Sequence, residues 1–96
     1  MQIRWTKAAS KDLDSIEEYI RKDNPKAAIK QVLRVINAVE KRLARSPKMG
    51  KPGRCANTRE LYVTGTPYIV AYRITGDVLE ERVGDRQVKS GEIHLK

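Results

Sequence analysis

The chain has 96 residues, 40% of them hydrophobic, with one Trp, no Phe and a formal net charge of +8. A chain of this length forms one domain and buries only about two-thirds of the surface that its unfolded form exposes, which excludes a large enclosed active site. The single Cys55 excludes an intramolecular disulfide, and the absence of a long apolar run or a signal-peptide pattern predicts a cytoplasmic protein without a membrane span.

The first predicted elements are a short strand and an amphipathic helix. Apolar and polar residues alternate over residues 2–5, which is typical of a half-buried strand. Thr6 then offers an N-cap for a helix over residues 7–22. Its apolar stripe consists of Ala9, Leu13, Ile16 and Ile20. The acidic residues elsewhere on this helix are predicted to be its solvated side: Asp12, Asp14, Glu17 and Glu18.

A second helix follows after a very short link. Asn24 can cap it, and Pro25 is tolerated at the first helical position. The two helices are therefore expected to form an αα-hairpin, the second running over about residues 26–45. Its predicted apolar face consists of Ile29, Val32, Leu33, Ile36, Val39 and Leu43. The cations on a different side, with Asn37 between them, are Lys26, Lys30, Arg34, Lys41 and Arg45.

The next segment, residues 46–54, is predicted to be a basic loop because it holds two Pro and two Gly. Its glycines do not have P-loop spacing. Residues 25–59 together hold ten Lys or Arg and one Glu, which makes this third of the chain the source of the positive charge. Such a patch favours encounters with nucleic acid or an acidic protein, although a merely solvated helix face is the alternative.

From residue 58 the period of the pattern becomes two, which predicts strands. Residues 58–63 and 68–74 form a predicted hairpin, and the run Tyr68–Tyr72 is apolar on both faces, as in a central strand covered by helices on one side. A weaker, half-polar strand over 78–83 is expected at a sheet edge. The prediction is thus a single α+β domain over 1–83, with a polar C-terminal tail over 84–96.

Three segments in this order, Gly50–Arg54, Thr58–Leu61 and Pro67–Arg73, resemble the RelE/ParE family of type II toxin–antitoxin toxins, which act in plasmid-stabilisation or addiction modules. The resemblance covers residues 1–83 and is closer to the ParE branch. It implies a short N-terminal strand and a helical hairpin packed on a small antiparallel sheet. It also implies an antitoxin partner that occludes the working surface, in a homodimer or a toxin–antitoxin hetero-oligomer.

The resemblance implies two different activities. RelE members cleave mRNA in the ribosomal A site, whereas ParE members inhibit DNA gyrase. The sequence departs from the family pattern near its end: Glu80 and Glu81 stand where an apolar pair is usual, and the expected His is absent. An impaired toxin that only binds its antitoxin is therefore a third hypothesis.

The candidate site residues favour binding over catalysis. RNA cleavage needs a placed acid and base, yet His94, the single histidine, lies in the polar tail, and Tyr68 and Tyr72 are predicted to be core residues. The resemblance instead implies that basic residues converge to bind the target or partner: Lys51, Arg54, Arg59, Arg73, Arg82 and Arg86. If the chain were an mRNA interferase, the candidates for catalysis would be Arg54, Arg59 and Arg73.

Arg59 and Arg73 are expected to project from the sheet face opposite the helices or from its rim. An ion pair of either residue with Glu60 or Glu81 is the alternative. The residues indicate no metal site and no cofactor.

Overall fold

A computed structural model of the protein describes residues 1–85. Its elements follow the predicted order of strand, helical hairpin and strands. In chain order they are β1 (Gln2–Arg4), α1 (Lys7–Arg21), α2 (Pro25–Asn37), a π-helical turn (Ala38–Leu43), β2 (Lys51–Pro52), β3 (Arg59–Tyr62), β4 (Tyr68–Thr75) and β5 (Val78–Asp85). None of the described helices is both long and apolar enough to cross a membrane.

The five strands form one mixed sheet in the order β1-β5-β4-β3-β2. β4 is central, as its apolar pattern predicts, and pairs antiparallel with β3 and β5. The expectation of an edge position for β5 is wrong: β1 pairs with it in parallel, with Ile3 opposite Leu79. β5 also continues to Asp85, which pairs with Tyr68, two residues beyond the predicted end of this strand at residue 83. Cross-strand burial against β4 stabilises this half-polar strand.

The predicted caps position the helical hairpin. The Thr6 hydroxyl accepts a hydrogen bond from the Ala9 N–H at 3.0 Å, and the Asn24 side chain accepts one from the Ala27 N–H at 3.1 Å. Each cap satisfies a backbone donor that the first helical turn would otherwise leave unpaired. The α1 stripe packs on the core as predicted, with Ala9 fully buried.

The predicted apolar face of the second helix is partly wrong. Val39 and Leu43 are fully buried, but Ile29 and Leu33 are 60% and 50% exposed. The core takes Ala28 and Val35 instead. At 100° per residue Ile29 lies 100° round the helix from Ala28, and Leu33 lies 200° before Val35, so both large residues turn away from the buried face. The helix continues beyond α2 through the π-helical turn, where an extra residue per turn widens the helix.

Candidate binding surface

The basic loop over residues 46–54 is held by one core tyrosine. The Tyr72 hydroxyl donates to the Pro47 carbonyl at 2.7 Å and accepts from the Gly50 N–H at 2.9 Å. A Cβ at Gly50 would lie 2.6 Å from that hydroxyl, so only glycine permits this approach. The loop is therefore tied to the middle of the sheet, and its Lys51–Pro52 segment pairs with β3 as a short strand that the Pro/Gly content did not predict.

Arg59 and Glu60 hold the same loop from β3. The Arg59 guanidinium donates to the carbonyls of Lys48 at 3.1 Å and Gly50 at 2.8 Å. The buried Glu60 carboxylate accepts from the Arg54 N–H at 3.2 Å and lies 3.6 Å from the Arg54 Nε. The three segments that carry the family resemblance are thus in contact, and their polar side chains order the loop.

Two of the predicted arginines meet at one end of the sheet. An open cleft of about 480 Å³ is lined by Lys48, Pro52, Asn57, Thr58, Arg59, Arg73 and Ile74. Arg59 pairs across strands with Tyr72 and so shares its face of the sheet, which excludes the opposite face as the position of Arg59. As the first residue of β3 it lies at the rim, the other position expected for it. Arg73, one residue further along β4, belongs to that opposite face.

Each predicted cation in the described part of the chain has an internal contact. Lys51 Nζ donates to the Tyr62 hydroxyl at 2.9 Å and lies 4.3 Å from the centre of that ring. Arg73 pairs with Glu80 at 3.4 Å, a carboxylate that was not among the two expected for it. Arg82 lies two residues along β5 from Glu80, on the same face as Arg73, and is held by Asp12 of α1. Arg86 lies outside the described residues.

The partner of Arg82 is a residue that the sequence pattern did not reveal. Asp12 was predicted to be solvated, yet its carboxylate binds the Arg82 guanidinium at 2.8 and 3.0 Å and accepts the Val83 N–H at 3.0 Å. The hydrogen bonds that Arg82 donates to Asp12 stabilise the charged guanidinium and raise its pKa. One carboxylate of α1 therefore fixes the helix against β5 beyond the end of β1.

Glu81 is the most unusual ionisable group in the described residues. Its side chain is 0% exposed, and neither carboxylate oxygen has a well-directed hydrogen-bond partner. Burial, together with the charges of Glu80 and Glu40, raises its pKa to about 8, and only the nearby Thr6 N–H opposes the rise. The residue points into the core beside Tyr72. The acid that departs from the family pattern at position 81 therefore occupies a core position.

The two core tyrosines are buried as predicted, and burial raises the pKa of both phenols. The Tyr72 hydroxyl is occupied by the loop, so it acts as a structural anchor. His94 lies outside the described residues. Within residues 1–85 no group of three or more His, Cys, Asp or Glu is arranged to hold a metal ion.

Comparisons with known proteins identify relatives of this fold and sequence. A family model described as the ParE toxin of the type II toxin–antitoxin system parDE matches residues 3–88. A protein of Sinorhizobium fredii (strain NBRC 101917 / NGR234) named "Putative toxin Y4kP" is 49% identical over 77 residues, or 80% of this chain and 79% of that protein.

Two solved structures share the architecture. The chromosomal ParDE toxin–antitoxin system from P. aeruginosa superposes with a TM-score of 0.80 and 26% identity, covering 88% of this chain and 95% of that one. The toxin–antitoxin complex RelBE2 from Mycobacterium tuberculosis superposes with a TM-score of 0.63 and 24% identity, covering 88% and 96% of the two chains. At 24% identity, the likeness to the second structure shows that the two chains share a fold and no more.

Proposed function

The chain belongs to the ParE toxin family of type II toxin–antitoxin systems, and we propose that it acts in the cytoplasm by binding and inhibiting DNA gyrase until a cognate antitoxin neutralises it. Membership of the ParE family rests on the match of the family model over residues 3–88. The target and the neutralisation are the proposal, and they extend the ParE relationship to this chain.

One observation carries the preference for binding over RNA cleavage. The arginines that an interferase would use, Arg54, Arg59 and Arg73, make contacts that build the fold. Cleavage would require these groups to neutralise a developing charge on phosphorus while an acid and a base move protons. Guanidinium groups already held by Glu60, Glu80 and loop carbonyls are better suited to shaping a surface than to following a reacting phosphate.

The proposed target-contacting surface is the sheet-end cleft with the basic loop beside it. Lys48 lines the cleft with Arg59 and Arg73, and the exposed Lys51 and Arg54 lie in the same loop. We assign Lys48, Lys51, Arg54 and Arg73 to contact with an acidic region of the target. Arg59 and Arg82 position the loop and β5. Charged groups at the edge of such a surface mainly accelerate association and select the partner.

Induced expression in a bacterium tests the function. We expect growth arrest with a DNA-damage response, because inhibition of gyrase affects DNA topology, and relief when the neighbouring antitoxin frame is co-expressed. The double substitution Lys48→Glu/Lys51→Glu is expected to weaken the arrest. Lys7→Glu/Lys11→Glu, which makes the same charge change on exposed α1 positions, is the matched control and is expected to arrest growth like the parent.

Two other outcomes would contradict the proposal. Codon-specific mRNA cuts, found by mapping transcript 5′ ends after induction, would establish the RelE-like interferase alternative. Normal growth with a folded, accumulated protein would identify an impaired toxin that only binds its antitoxin.

A further inference from the structure

The outer face of the helical hairpin, which is turned away from the sheet, carries two large apolar side chains. Ile29 and Leu33 of α2 are 60% and 50% exposed and lie one helical turn apart. Gln31 contacts the β3–β4 turn from one flank of α2, and at 100° per residue the apolar pair lies on the other flank, towards α1. The pair therefore lies between the two helices, near the middle of the outer face.

Two charged stripes of opposite sign flank the apolar pair. The acidic stripe consists of Asp14 and Glu18, which are exposed and one turn apart towards the C-terminal end of α1. The basic stripe consists of Lys26 and Lys30, which are exposed and one turn apart towards the N-terminal end of α2. The helices are joined by only three residues, so these two ends lie side by side. Within residues 1–85 no internal ion pair neutralises either stripe.

A two-fold rotation of the hairpin exchanges the two stripes. With the axis normal to the outer face beside Ile29, α1 of one copy lies along α2 of the other and runs in the same direction. Asp14 of one copy then faces Lys26 of the other. Glu18 likewise faces Lys30, because the two stripes have the same four-residue spacing. Each of these charge pairs forms twice in the dimer, with the apolar side chains of both copies between them.

The arrangement of charge selects a second copy over other partners. A purely acidic segment or a nucleic acid would be attracted by the basic stripe and repelled by the acidic one. A second copy satisfies both stripes and covers the apolar pair at the same time. Two further cations at the start of α1 lie beyond the N-terminal end of α2 in the other copy, so they do not face its lysines: Lys7 and Lys11.

We propose that the outer face of the hairpin is a homodimer interface, with Ile29 and Leu33 of both copies close to the two-fold axis and the charged stripes paired across it. The 15 and 13 residues of α1 and α2 make helices about 22 and 20 Å long. A face of this size is at the lower end of specific interfaces, and each copy carries a formal charge of +8, so a weak dimer is expected, with a Kd of about 10–100 µM. The interface includes no residue of the sheet-end cleft.

Sedimentation velocity of the full chain, over about 5 to 200 µM, tests the charge pairing by exchanging the stripes. Asp14→Lys/Glu18→Lys and Lys26→Glu/Lys30→Glu are each expected to weaken the dimer about tenfold or more, because equal charges then meet across the axis. An equimolar mixture of the two variants is expected to form a heterodimer within about threefold of the parent affinity, because both stripes are complementary again.

Two further variants separate the apolar contact from net charge. Ile29→Gln/Leu33→Gln keeps the charge and the helix, and is expected to weaken the dimer about tenfold because the buried apolar area is lost. Lys48→Glu/Lys51→Glu has the same charge change as Lys26→Glu/Lys30→Glu but lies outside the hairpin, and is expected to change the Kd by less than about twofold.

Three results would overturn the proposal: a parent chain that stays monomeric at about 200 µM, a variant mixture that stays monomeric, or an equal loss in the Lys48/Lys51 control. A monomeric parent whose hairpin gains protection from hydrogen exchange only when the antitoxin is added would identify that protein as the occupant of this face. Sedimentation contains no gyrase, so the dimer can fail while the proposed target stands, and the reverse is also true.

Discussion

Replacing Glu81 with Met is expected to stabilise the protein at neutral and alkaline pH. The carboxyl is fully buried, and its pKa is raised from 4.5 to about 8. In the unfolded chain it ionises near its ordinary pKa, so folding at pH 7 requires it to take up a proton. The pKa of Glu81 is higher in the folded protein than in the unfolded chain. The contribution of this carboxyl to folding stability is therefore fully present below about pH 4.5 and is lost as the pH rises towards 8.

The size of the effect follows from linkage. Each unit of pKa difference corresponds to about 1.4 kcal/mol, so the free energy of unfolding falls by about 2 kcal/mol between pH 6 and pH 8. The charged groups involved are Glu80 and Glu40, which reinforce the rise, while the Thr6 N–H opposes it. The two core tyrosines have raised pKa values above their ordinary 10.0 and so do not contribute in this range.

Urea unfolding at pH 6, 7, 8 and 9, followed by the fluorescence of Trp5, measures this dependence. The parent is expected to lose stability across the series, and Glu81→Met is expected to remove most of the loss. Glu18→Met, at an exposed position on α1, is the control and retains the parent's pH dependence. Equal slopes for the parent and Glu81→Met would show that the carboxyl is not the group responsible.

Three further substitutions test the loop and the turn. Tyr72→Phe is expected to cost about 1–3 kcal/mol of unfolding free energy, because the buried Gly50 N–H and the part-buried Pro47 carbonyl lose their partner. Tyr62→Phe at the surface is expected to cost less than about 0.5 kcal/mol, and equal losses in denaturant unfolding would contradict the anchoring role. Arg59→Lys is expected to increase amide exchange across residues 46–54, since the Nη1 that donates to both loop carbonyls is fixed in a rigid planar guanidinium, whereas a lysine ammonium ends a flexible stem. Unchanged protection would refute this. Gly65→Ala is expected to destabilise more than Gly76→Ala, because both glycines have positive φ but only the first contacts a side chain; equal melting temperatures would contradict it.

Local patterns predicted the elements whose causes are local. The caps Thr6 and Asn24 and the first helix follow from nearby residues, and the central position of β4 follows from its two apolar faces. The predicted apolar face of α2 differs from the buried face in the structure. The prediction gave weight to the large Ile29 and Leu33, whereas the smaller Ala28 and Val35 are the buried residues. Packing against a sheet selects residues by fit as well as by hydrophobicity, and that fit is not visible in the period alone.

The partners of charged residues depend on distant parts of the chain. The Asp12–Arg82 pair joins residues 70 positions apart, and no helical or strand period signals it. Arg59 and Arg73 alternate similarly on neighbouring strands, but the register places them on different faces and at one cleft. Of the predicted cations, Arg59 and Arg73 therefore converge at one cleft. Lys41, Arg42 and Arg45 form a second basic surface on the helix.

The measurement that tests the central claim most directly is DNA supercoiling by purified gyrase in the presence of the purified protein. Stoichiometric toxin is expected to inhibit supercoiling, Lys48→Glu/Lys51→Glu to inhibit less, and addition of the antitoxin to restore the reaction. Full supercoiling activity in the presence of a protein shown to be folded by circular dichroism would contradict the claim that this ParE family toxin acts on gyrase.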